Sequence, residues 1–462
     1  MVAVTELVGR LGVVAGLDAA VGPVKTRDRG CSAGQLLVGM AAAQLAGEDF
    51  LVGLDRVRAD AAGQGLWPVP GLASTTAAGL ARRMAPEQFV AVETGLAVAT
   101  TRMVGLLSAQ RVRALAASVT IDLDTTDVEV YGRAKRGVAY NYQGQRVGRP
   151  HVATWAEAGV TLAADLLAGD VDPRPGAAAL LRRALASLPE PVVGLVRARG
   201  QKVRMRADGG YFAGDLARAA HEQNIEFTIT AKRIAPLWRL LSGIGEGDWN
   251  GATDMDGAQV AVAGYCPDWW PADTRLLIRR VRLRPEQVSA DARSRRRRTL
   301  HPDQRALPLP ELAAAQTIYG YCFIMTNADV CTPEQAAAVE HRHRHRTEIE
   351  NIFRDGKHGA ALRHLPSGYP QVNTAWMWAA LLATTIAGWT HQLTATSRSD
   401  ATLAGHGTRA GKAMIATLRR RLIRIPARLI RHARRTTLRL PPGQHLLLSQ
   451  VLARLRALPA SP

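Results

Sequence analysis

Cysteine is scarce in this chain of 462 residues, which contains only Cys31, Cys266, Cys322 and Cys331. Their spacing fits neither a disulfide framework nor a cysteine-rich metal cluster, and reduced thiols are typical of a cytoplasmic protein. The apolar N-terminal stretch lacks a basic segment before it, so no signal peptide is predicted. Long hydrophobic runs are also missing. The most apolar stretch, Ala375–Trp389, is too short to cross a bilayer comfortably and predicts a buried core helix.

Acidic residues are few, with 39 Asp and Glu against 59 Lys and Arg, and the formal net charge is +20. The last 62 residues contain 13 Lys and Arg and no Asp or Glu. A second basic block is formed by Arg293 and Arg295–Arg298. A positive net charge of this size favours a polyanionic partner. Nucleic acid is the first candidate and a membrane surface is the second. We expect these clusters to contact the phosphate backbone of DNA, which gives affinity without sequence information.

Residues 1–110 are rich in alanine and predict a helical domain. Gln35–Leu45 has the pattern of one helix, and the Ser-Thr-Thr run at 74–76 is suited to cap another that contains Arg82 and Arg83. Two short helices around a tight turn could form a helix-turn-helix that reads DNA. An ordinary helical bundle fits the same pattern equally well.

Strand-like alternation begins at residue 118, where Val119, Ile121 and Leu123 alternate with polar side chains. The predicted elements from there to Ala231 are three strands, a helix, a strand, a helix and a strand. This order predicts an α/β fold and resembles the ribonuclease-H-like arrangement, although a fold alone does not establish a function.

The predicted domain layout has five parts, because tryptophans and strand patterns interrupt the α/β order after about residue 234. The parts are a helical DNA-binding domain (1–110), the first part of a ribonuclease-H-like catalytic core (111–233), a β-rich insertion (234–318), the second part of the core with a glutamate-bearing helix (319–395) and a basic C-terminal helical region (396–462).

Two aspartates follow predicted strands. Asp124 ends the strand that begins at residue 118, and Asp122 lies on the same strand face two residues earlier. Asp208 ends the strand Lys202–Ala207, and the two glycines after it let the backbone approach a bulky ligand. Each aspartate taken alone also fits an ordinary turn, in which the carboxylate accepts hydrogen bonds from nearby backbone.

A third acid, Glu350, belongs to a stripe formed by His343, Arg346, Glu350 and Lys357, in steps of three, four and seven residues. On a single helix beginning at Thr332, these four side chains would share one face. A carboxylate flanked by cations suits a group that holds a metal ion while phosphates dock beside it.

The histidines within residues 340–346 raise the question of zinc. His341 and His345 are four residues apart, a spacing that could face a zinc ion. Arg342 stands where the HExxH pattern requires glutamate, so a zinc protease is not expected. A solvated basic helix face would explain this run but not its continuation to Glu350.

Together the three carboxylates suit two-metal phosphodiester chemistry. Two divalent ions roughly 4 Å apart can activate a water or a 3′-hydroxyl and stabilise the leaving oxygen. Magnesium prefers such oxygen ligands and keeps exchangeable waters. Two strand ends and one helix can supply the ligands, and the basic surface would supply the DNA.

Three segments resemble the DDE transposases of bacterial insertion sequences. They are Asp-Leu-Asp-Thr-Thr at 122–126, Arg-Ala-Asp-Gly-Gly-Tyr-Phe at 206–212 and the stripe through 343–357. The resemblance covers residues 30 to 460, approximately, and the combination of the three segments is more specific than any one of them.

The last segment is similar to the Y-(2)-R-(3)-E-(6)-K signature of the insertion-sequence-4-like superfamily, and the chain looks closest to the 1380-type group. Arg346, Glu350 and Lys357 match that signature in type and spacing. His343 stands in the place of the tyrosine, and a histidine could donate to a phosphate.

The resemblance implies a ribonuclease-H-like core with a β-rich insertion before the glutamate. Asp124, Asp208 and Glu350 would hold two Mg²⁺ ions, with Mn²⁺ as a substitute, and Arg346 and Lys357 would contact phosphates of the transposon end. The reaction would be cleavage at the terminal inverted repeats, followed by attack of the freed 3′-hydroxyl on target DNA. The partner would be double-stranded DNA, bound by a homodimer because two ends must meet.

Related enzymes can stack a flipped base on a tryptophan of the insertion, which makes Trp249, Trp269 and Trp270 candidates for DNA contacts. Packing is the favoured alternative for these tryptophans, because an indole buries a large apolar area. The expected location is the cytoplasm, in association with the nucleoid. Two other functions remain open: a catalytically inactive or domesticated DNA-binding protein derived from a transposase, and a stand-alone metal-dependent nuclease. A membrane-surface protein is a weaker third alternative.

Overall fold

The computed structural model describes residues 1–27, 30–283, 319–394, 414–433, 435–443 and 445–459. The basic block Arg293–Arg298 and the end of the predicted insertion lie outside the described residues. The chain forms two units. Unit 1 comprises Met1–Pro173, Ala179–Gln201 and Glu348–Pro462, and unit 2 comprises Arg174–Ala178 and Lys202–Thr347.

Helices make up most of the N-terminal part of unit 1. They are α1 (Val2–Arg10), α2 (Val13–Val21), α3 (Ala33–Ala46), α4 (Gly53–Ala59), α5 (Ser74–Ala81), α6 (Pro86–Gly105) and α7 (Ala109–Leu115), with a 3₁₀ turn at Gln64–Leu66. The helix predicted at 35–45 is present as α3. It begins with a capping box in which Ser32 accepts from the Gln35 N–H and Gln35 accepts from the Ser32 N–H.

The predicted cap at residues 74–76 is wrong, because Ser74 already lies inside α5. Its backbone N–H and its hydroxyl both donate to the carboxylate of Asp55, at 2.9 and 2.6 Å. Arg82 follows the helix directly, and its guanidinium lies 3.8 Å from the centre of the Tyr369 ring. Such a cation–π contact is typical of packing within a unit.

An antiparallel sheet follows in unit 1. Its elements and the helices after it are β1 (Thr120–Thr125), β2 (Val128–Glu129), β3 (Ala139–Tyr140), β4 (Arg146–Trp155), β5 (Val160–Ala168), α8 (Arg174–Ala186) and α9 (Glu190–Ala198). β4 pairs with each of the other four strands. The prediction of three strands before the first helix is therefore incomplete, since it missed β5 and the short β3.

Unit 2 contains a mixed sheet. Its elements are β6 (Arg204–Ala207), a 3₁₀ turn (Gly209–Tyr211), α10 (Gly214–Glu222), β7 (Glu226–Thr230), α11 (Ala235–Leu240), 3₁₀ turns at Leu241–Gly243 and Glu246–Asp248, β8 (Asn250–Gly251), β9 (Ala258–Ala263), β10 (Arg275–Arg282), β11 (Tyr319–Thr326) and α12 (Pro333–Arg344). The strand order in this unit is β6-β7-β11-β10-β9-β8. Among the described strand pairs within this unit, β6 and β7 are parallel and the others are antiparallel. The α/β class and the strands expected after residue 234 are thus confirmed.

The chain then returns to unit 1. The remaining elements are α13 (Thr347–His358), α14 (Pro370–Thr394), α15 (Ile415–Leu418), a π-helical turn (Arg419–Ile423), β12 (Arg428–His432), β13 (Arg435–Arg439) and α16 (His445–Ala457). The prediction of a helical basic C-terminal region is wrong in part, because β12 and β13 form an antiparallel hairpin within it.

The core of unit 1 surrounds α14, whose residues are nearly all buried. This helix packs against α3, β5, α6 and α16. The Trp389 indole N–H donates to the Thr100 hydroxyl at 3.2 Å, and the Gln44 amide donates to the Trp376 carbonyl at 3.3 Å. The N-terminal helices therefore belong to one core with β1–β5, and no unit boundary falls at residue 110. Among the described helices, none combines the length and apolarity needed to cross a membrane.

Candidate active site

Asp124 lies at the end of β1, where the alternating pattern predicted it. The strand register places it opposite Val152 of β4. Its carboxylate is half-exposed and accepts a hydrogen bond from the Thr125 N–H at 2.7 Å. Asp122, two residues earlier, is completely buried. Asp124 is therefore the aspartate of this strand that can reach a ligand from solvent.

Asp208 lies at the end of β6, as the sequence predicts. It caps the 3₁₀ turn Gly209–Tyr211, and its Oδ1 accepts from the Gly210 N–H at 2.8 Å. A Cβ on Gly210 would lie 2.9 Å from that same oxygen. Glycine at 210 therefore lets the carboxylate keep this position. The sequence predicts that the glycines let the backbone approach a ligand, and the structure adds a more specific requirement, which is room for the Asp208 oxygen.

Glu350 lies in the first turn of α13, on the solvent side. The neighbouring Ile349, Ile352 and Phe353 are buried in unit 1 and fix the orientation of the helix. Glu350 itself is exposed. Its position near the N-terminus of the helix is favourable for a negative charge.

The prediction of one continuous helix from Thr332 through Glu350 is wrong. α12 ends at Arg344, His345 has φ −84° and ψ 44°, and α13 begins at Thr347. His343 and Arg346 therefore do not share a helical face with Glu350. Of the predicted stripe, only Glu350 and Lys357 lie on one helix, two turns apart.

The end of α12 is held by a residue that the sequence did not single out. The guanidinium of Arg206 donates to the carbonyl oxygens of Arg342, at 2.6 Å, and of His345, at 3.1 Å. Carbonyls at a helix C-terminus have no partner within the helix, so a cation is well placed to satisfy them. Arg206 belongs to β6, two residues before Asp208. Within unit 2 it thus connects the strand of Asp208 to the end of α12.

His343 is buried inside unit 2, with 8% of its surface exposed. Its two ring nitrogens lie 2.9 Å from the hydroxyls of Thr228 and Thr230. Burial, reinforced by nearby arginines, lowers the pKa of His343 to about 3. The ring is neutral and hydrogen-bonded on both sides, so this conformation offers no phosphate contact from His343. Arg346 is half-exposed at the break.

Lys357 connects α13 to the segment that follows β1. Its ammonium donates to the carbonyl of Asp127 at 2.8 Å. Burial lowers the pKa of Lys357, and the Asp127 carboxylate opposes that shift. Burial alone would raise the pKa of Asp127. Hydrogen bonds from Arg149 at 2.7 Å and Asn141 at 2.8 Å, together with the cationic charges, bring that pKa below its ordinary value. Asp127 is thus an ionised anchor three residues after Asp124.

The three candidate tryptophans differ in exposure. Trp249 and Trp270 are buried, and Trp249 lies under the guanidinium of Arg280 at 4.3 Å from its ring centre. Trp269 is 49% exposed and contacts Phe212 edge-on, with ring centres 6.1 Å apart. The packing interpretation therefore fits Trp249 and Trp270, whereas the ring of Trp269 is accessible to a ligand.

The candidate metal ligands come from both units of the chain. Among the described residues, no group of three or more His, Cys, Asp or Glu side chains is arranged to hold a metal ion. Asp124 and Glu350 belong to unit 1 and Asp208 belongs to unit 2. Their chemistry suits a hard divalent cation, because all three are accessible oxygen donors.

The segment that contains the three carboxylates matches a known protein family. A family profile described as the transposase DDE domain matches residues 116–386, well over half of the chain. The chain belongs to this family, and the predicted class of enzyme, a DDE transposase, is confirmed. The matched segment includes Asp124, Asp208 and Glu350.

Solved structures and curated proteins provide two further comparisons. An electron cryo-microscopy structure of the piggyBac transposase synaptic complex with hairpin DNA is similar to this chain, with a TM-score of 0.42 and 8% sequence identity. The match covers 98% of this chain and 80% of the other. No curated protein matches the sequence.

Proposed function

We propose that this transposase cleaves DNA at the terminal inverted repeats of a mobile element and joins the freed 3′-hydroxyl ends to target DNA. The observation that supports this most directly is that Asp124, Asp208 and Glu350 all lie inside the matched DDE segment and all reach solvent. A carboxylate that binds metal and DNA must be accessible in this way. The finer assignment, to the 1380-type group of the insertion-sequence-4-like superfamily with a ribonuclease-H-like core, is part of the proposal.

The proposed metal ligands are Asp124, Asp208 and Glu350. Two Mg²⁺ ions, or Mn²⁺ as a substitute, would supply an activated hydroxyl nucleophile and stabilise the leaving oxygen. The chain's own contribution is to orient the two aspartates. Asp208 is held by the Gly210 N–H and Asp124 by the Thr125 N–H.

DNA contacts are proposed for Arg346, Lys357 and Trp269. Arg346 is half-exposed beside the helix break, and Lys357 is a donor on the same helix as Glu350. The accessible ring of Trp269 suits stacking of an extruded base. Trp249, Trp270 and His343 are left out, because their buried contacts occupy them. The proposed complex is a homodimer bound to two transposon ends. Its proposed location is the cytoplasm, in association with the nucleoid.

Loss of the carboxylate at Asp208 tests the proposal. We expect Asp208→Asn to abolish Mg²⁺-dependent nicking of a supercoiled plasmid that bears the element's ends, while binding of the same DNA is retained. Chelation of the metal should abolish nicking by the unchanged protein. Asp254→Asn is the matched control, because Asp254 is an exposed aspartate of unit 2 with φ +50°, a conformation that asparagine tolerates.

Cleavage that persists in Asp208→Asn would contradict the proposed site. A protein that binds end DNA but never nicks it with Mg²⁺ or Mn²⁺ would be the inactive, DNA-binding derivative. A strand-transfer assay with a precleaved end distinguishes the nuclease alternative, since a simple nuclease gives no joined product.

A further inference from the structure

The C-terminal hairpin, named here the C-terminal ribbon, consists of β12 and β13 and has two different faces. Residues opposite each other in an antiparallel pair point to the same face, and the faces alternate along each strand. One face is formed by the pairs Arg428–Arg439 and Ile430–Thr437, together with His432. The opposite face is formed by Leu429–Leu438 and Arg431–Thr436.

The leucine face is turned toward the rest of unit 1. Leu429 and Leu438 are half-buried, and Leu438 lines a cavity together with Met1 and Val2 of the N-terminal helix. Arg431 adds a weak contact, because its guanidinium lies 3.5 Å from the carbonyl oxygen of Ala62. Because the leucine face makes these contacts, the opposite face of the ribbon is the one that is exposed to solvent.

The other face is open to solvent and basic. Arg428, Ile430, His432, Thr437 and Arg439 are all exposed. Arg428 and Arg439 lie directly opposite each other, and like charges in such a pair destabilise a hairpin. Within the described ranges no carboxylate pairs with either arginine, and no acidic residue occurs after Asp400 in the sequence. An external anion would offset this repulsion.

The dimensions favour duplex DNA over other anions. Paired strands lie about 4.8 Å apart, and a two-stranded ribbon with its side chains fits a major groove about 12 Å wide. Neither strand of the ribbon contains Phe, Tyr or Trp, the large aromatic side chains that stack unpaired bases most extensively, and the one aromatic ring on the ribbon is the imidazole of His432. The exposed face has one large apolar side chain, Ile430, too little for insertion into a lipid surface.

We propose that the arginine face of the C-terminal ribbon binds double-stranded DNA, with Arg428 and Arg439 contacting phosphates on the two sides of a groove. This rests on the proposed function, in which duplex DNA is the substrate, and it assigns one surface of unit 1 to that substrate. The contacts are to the backbone, so they add affinity for any sequence.

The test compares three double variants in binding a short random-sequence duplex without divalent metal, measured by fluorescence anisotropy across a salt series. Arg428→Gln with Arg439→Gln should weaken binding by roughly tenfold or more at about 0.1 M salt and reduce the slope of log affinity against log salt by about 1.8. Arg428→Lys with Arg439→Lys should retain most of the affinity. Arg113→Gln with Arg197→Gln, which removes two exposed arginines of unit 1 outside the ribbon, should bind as the unchanged protein does.

Several results would overturn the proposal. They are unchanged affinity and salt slope in the ribbon glutamine variant, an equal loss in the Arg113/Arg197 control, or a loss confined to single-stranded DNA or to anionic vesicles. Circular dichroism melts show whether each variant is folded. If the glutamine variant is unfolded, the binding of the lysine variant is compared with that of the unchanged protein. Plasmid nicking separates the two proposals. A protein that binds duplex through the ribbon but never cleaves contradicts only the proposed function.

Discussion

The ammonium of Lys357 donates to the backbone carbonyl of Asp127 at 2.8 Å, and this bond fastens the helix of Glu350 to the segment that follows Asp124. Both ends of the bond lie in unit 1. It is reinforced by Arg149 and Asn141, which hold the Asp127 carboxylate. Lys357 therefore has a positioning role within the protein in addition to any contact with DNA.

Replacement of this lysine separates the two roles. We expect Lys357→Met to lower the nicking rate by roughly 10- to 100-fold, a typical cost of losing a group that orients metal ligands. Duplex affinity should fall much less, as measured by anisotropy. Lys202→Met, at an exposed lysine, is the control. An equal loss of affinity and rate would instead assign Lys357 to phosphate binding alone.

Gly210 leaves room for the carboxylate of Asp208, because an added Cβ would lie 2.9 Å from its Oδ1. Gly210→Ala should therefore displace that oxygen and lower nicking strongly, with little change in thermal stability. Gly243→Ala is a matched control in the same unit, since nothing lies within 4 Å of a Cβ added there. Wild-type nicking by Gly210→Ala would show that the position of Asp208 in this turn is unimportant.

Arg206 stabilises the break between α12 and α13 through the carbonyls of Arg342 and His345. Hydrogen bonds from a charged donor contribute about 1.5–3 kcal/mol when well shielded, and partial exposure reduces that figure here. We expect Arg206→Met to lower the midpoint of thermal unfolding and to reduce nicking. Arg239→Met, at an exposed arginine of α11, should do neither. A melting midpoint equal to that of the control would contradict the role of Arg206.

Glu93 is a buried carboxyl on α6, and burial raises its pKa to about 7, although Arg183 at 3.4 Å and the Ala164 N–H oppose the shift. The folded state then binds a proton more tightly than the unfolded state, whose glutamates titrate near 4.3. Glu93 contributes stability that is complete below about pH 4.3 and is lost as the pH rises to about 7. The free energy of unfolding lost in this way is on the order of 4 kcal/mol.

Glu93→Gln should flatten that dependence, so the difference in unfolding free energy between variant and wild type should change between about pH 4.3 and pH 7. The variant becomes relatively more stable as the pH rises. The comparison uses the difference in unfolding free energy between variant and wild type, because the titration of His151 changes the stability of both proteins in the opposite direction. Burial lowers the pKa of His151 to about 4, so its contribution is lost as the pH falls from about 6.5 to 4. A difference that is constant across this range would show that Glu93 does not titrate there. Denaturant titrations at several pH values provide the measurement.

The strand of Asp124 could be predicted because Val119, Ile121 and Leu123 alternate with polar residues, which is a local pattern typical of strands. The position of Asp208 could also be predicted from a local pattern, because a short strand ends there and two glycines follow. The break after α12 could not be predicted in this way. No proline or glycine marks His345 or Arg346, and the cation at the helix end comes from Arg206, 139 residues away from His345 in sequence.

The C-terminal ribbon was missed for a related reason. A two-residue hairpin is usually signalled by Asn-Gly or Asp-Gly, whereas here Ala433 adopts φ +45° at the turn. The many arginines and leucines of this region have good helix propensity, so local preference pointed to a helix. Pairing between β12 and β13 and packing of Leu438 against unit 1 prevailed over that preference.

The burial of α14 against α3, β5 and α6 has a consequence for protein synthesis. Residues 370–394 leave the ribosome after the N-terminal helices, the sheet of unit 1 and all of unit 2. Until then, the part of the α3 surface that α14 covers in the finished protein is exposed in the nascent polypeptide and is open to chaperones. A product of premature termination before residue 370 would lack the element around which unit 1 closes, so incomplete translation should yield aggregation-prone fragments instead of a partly active transposase.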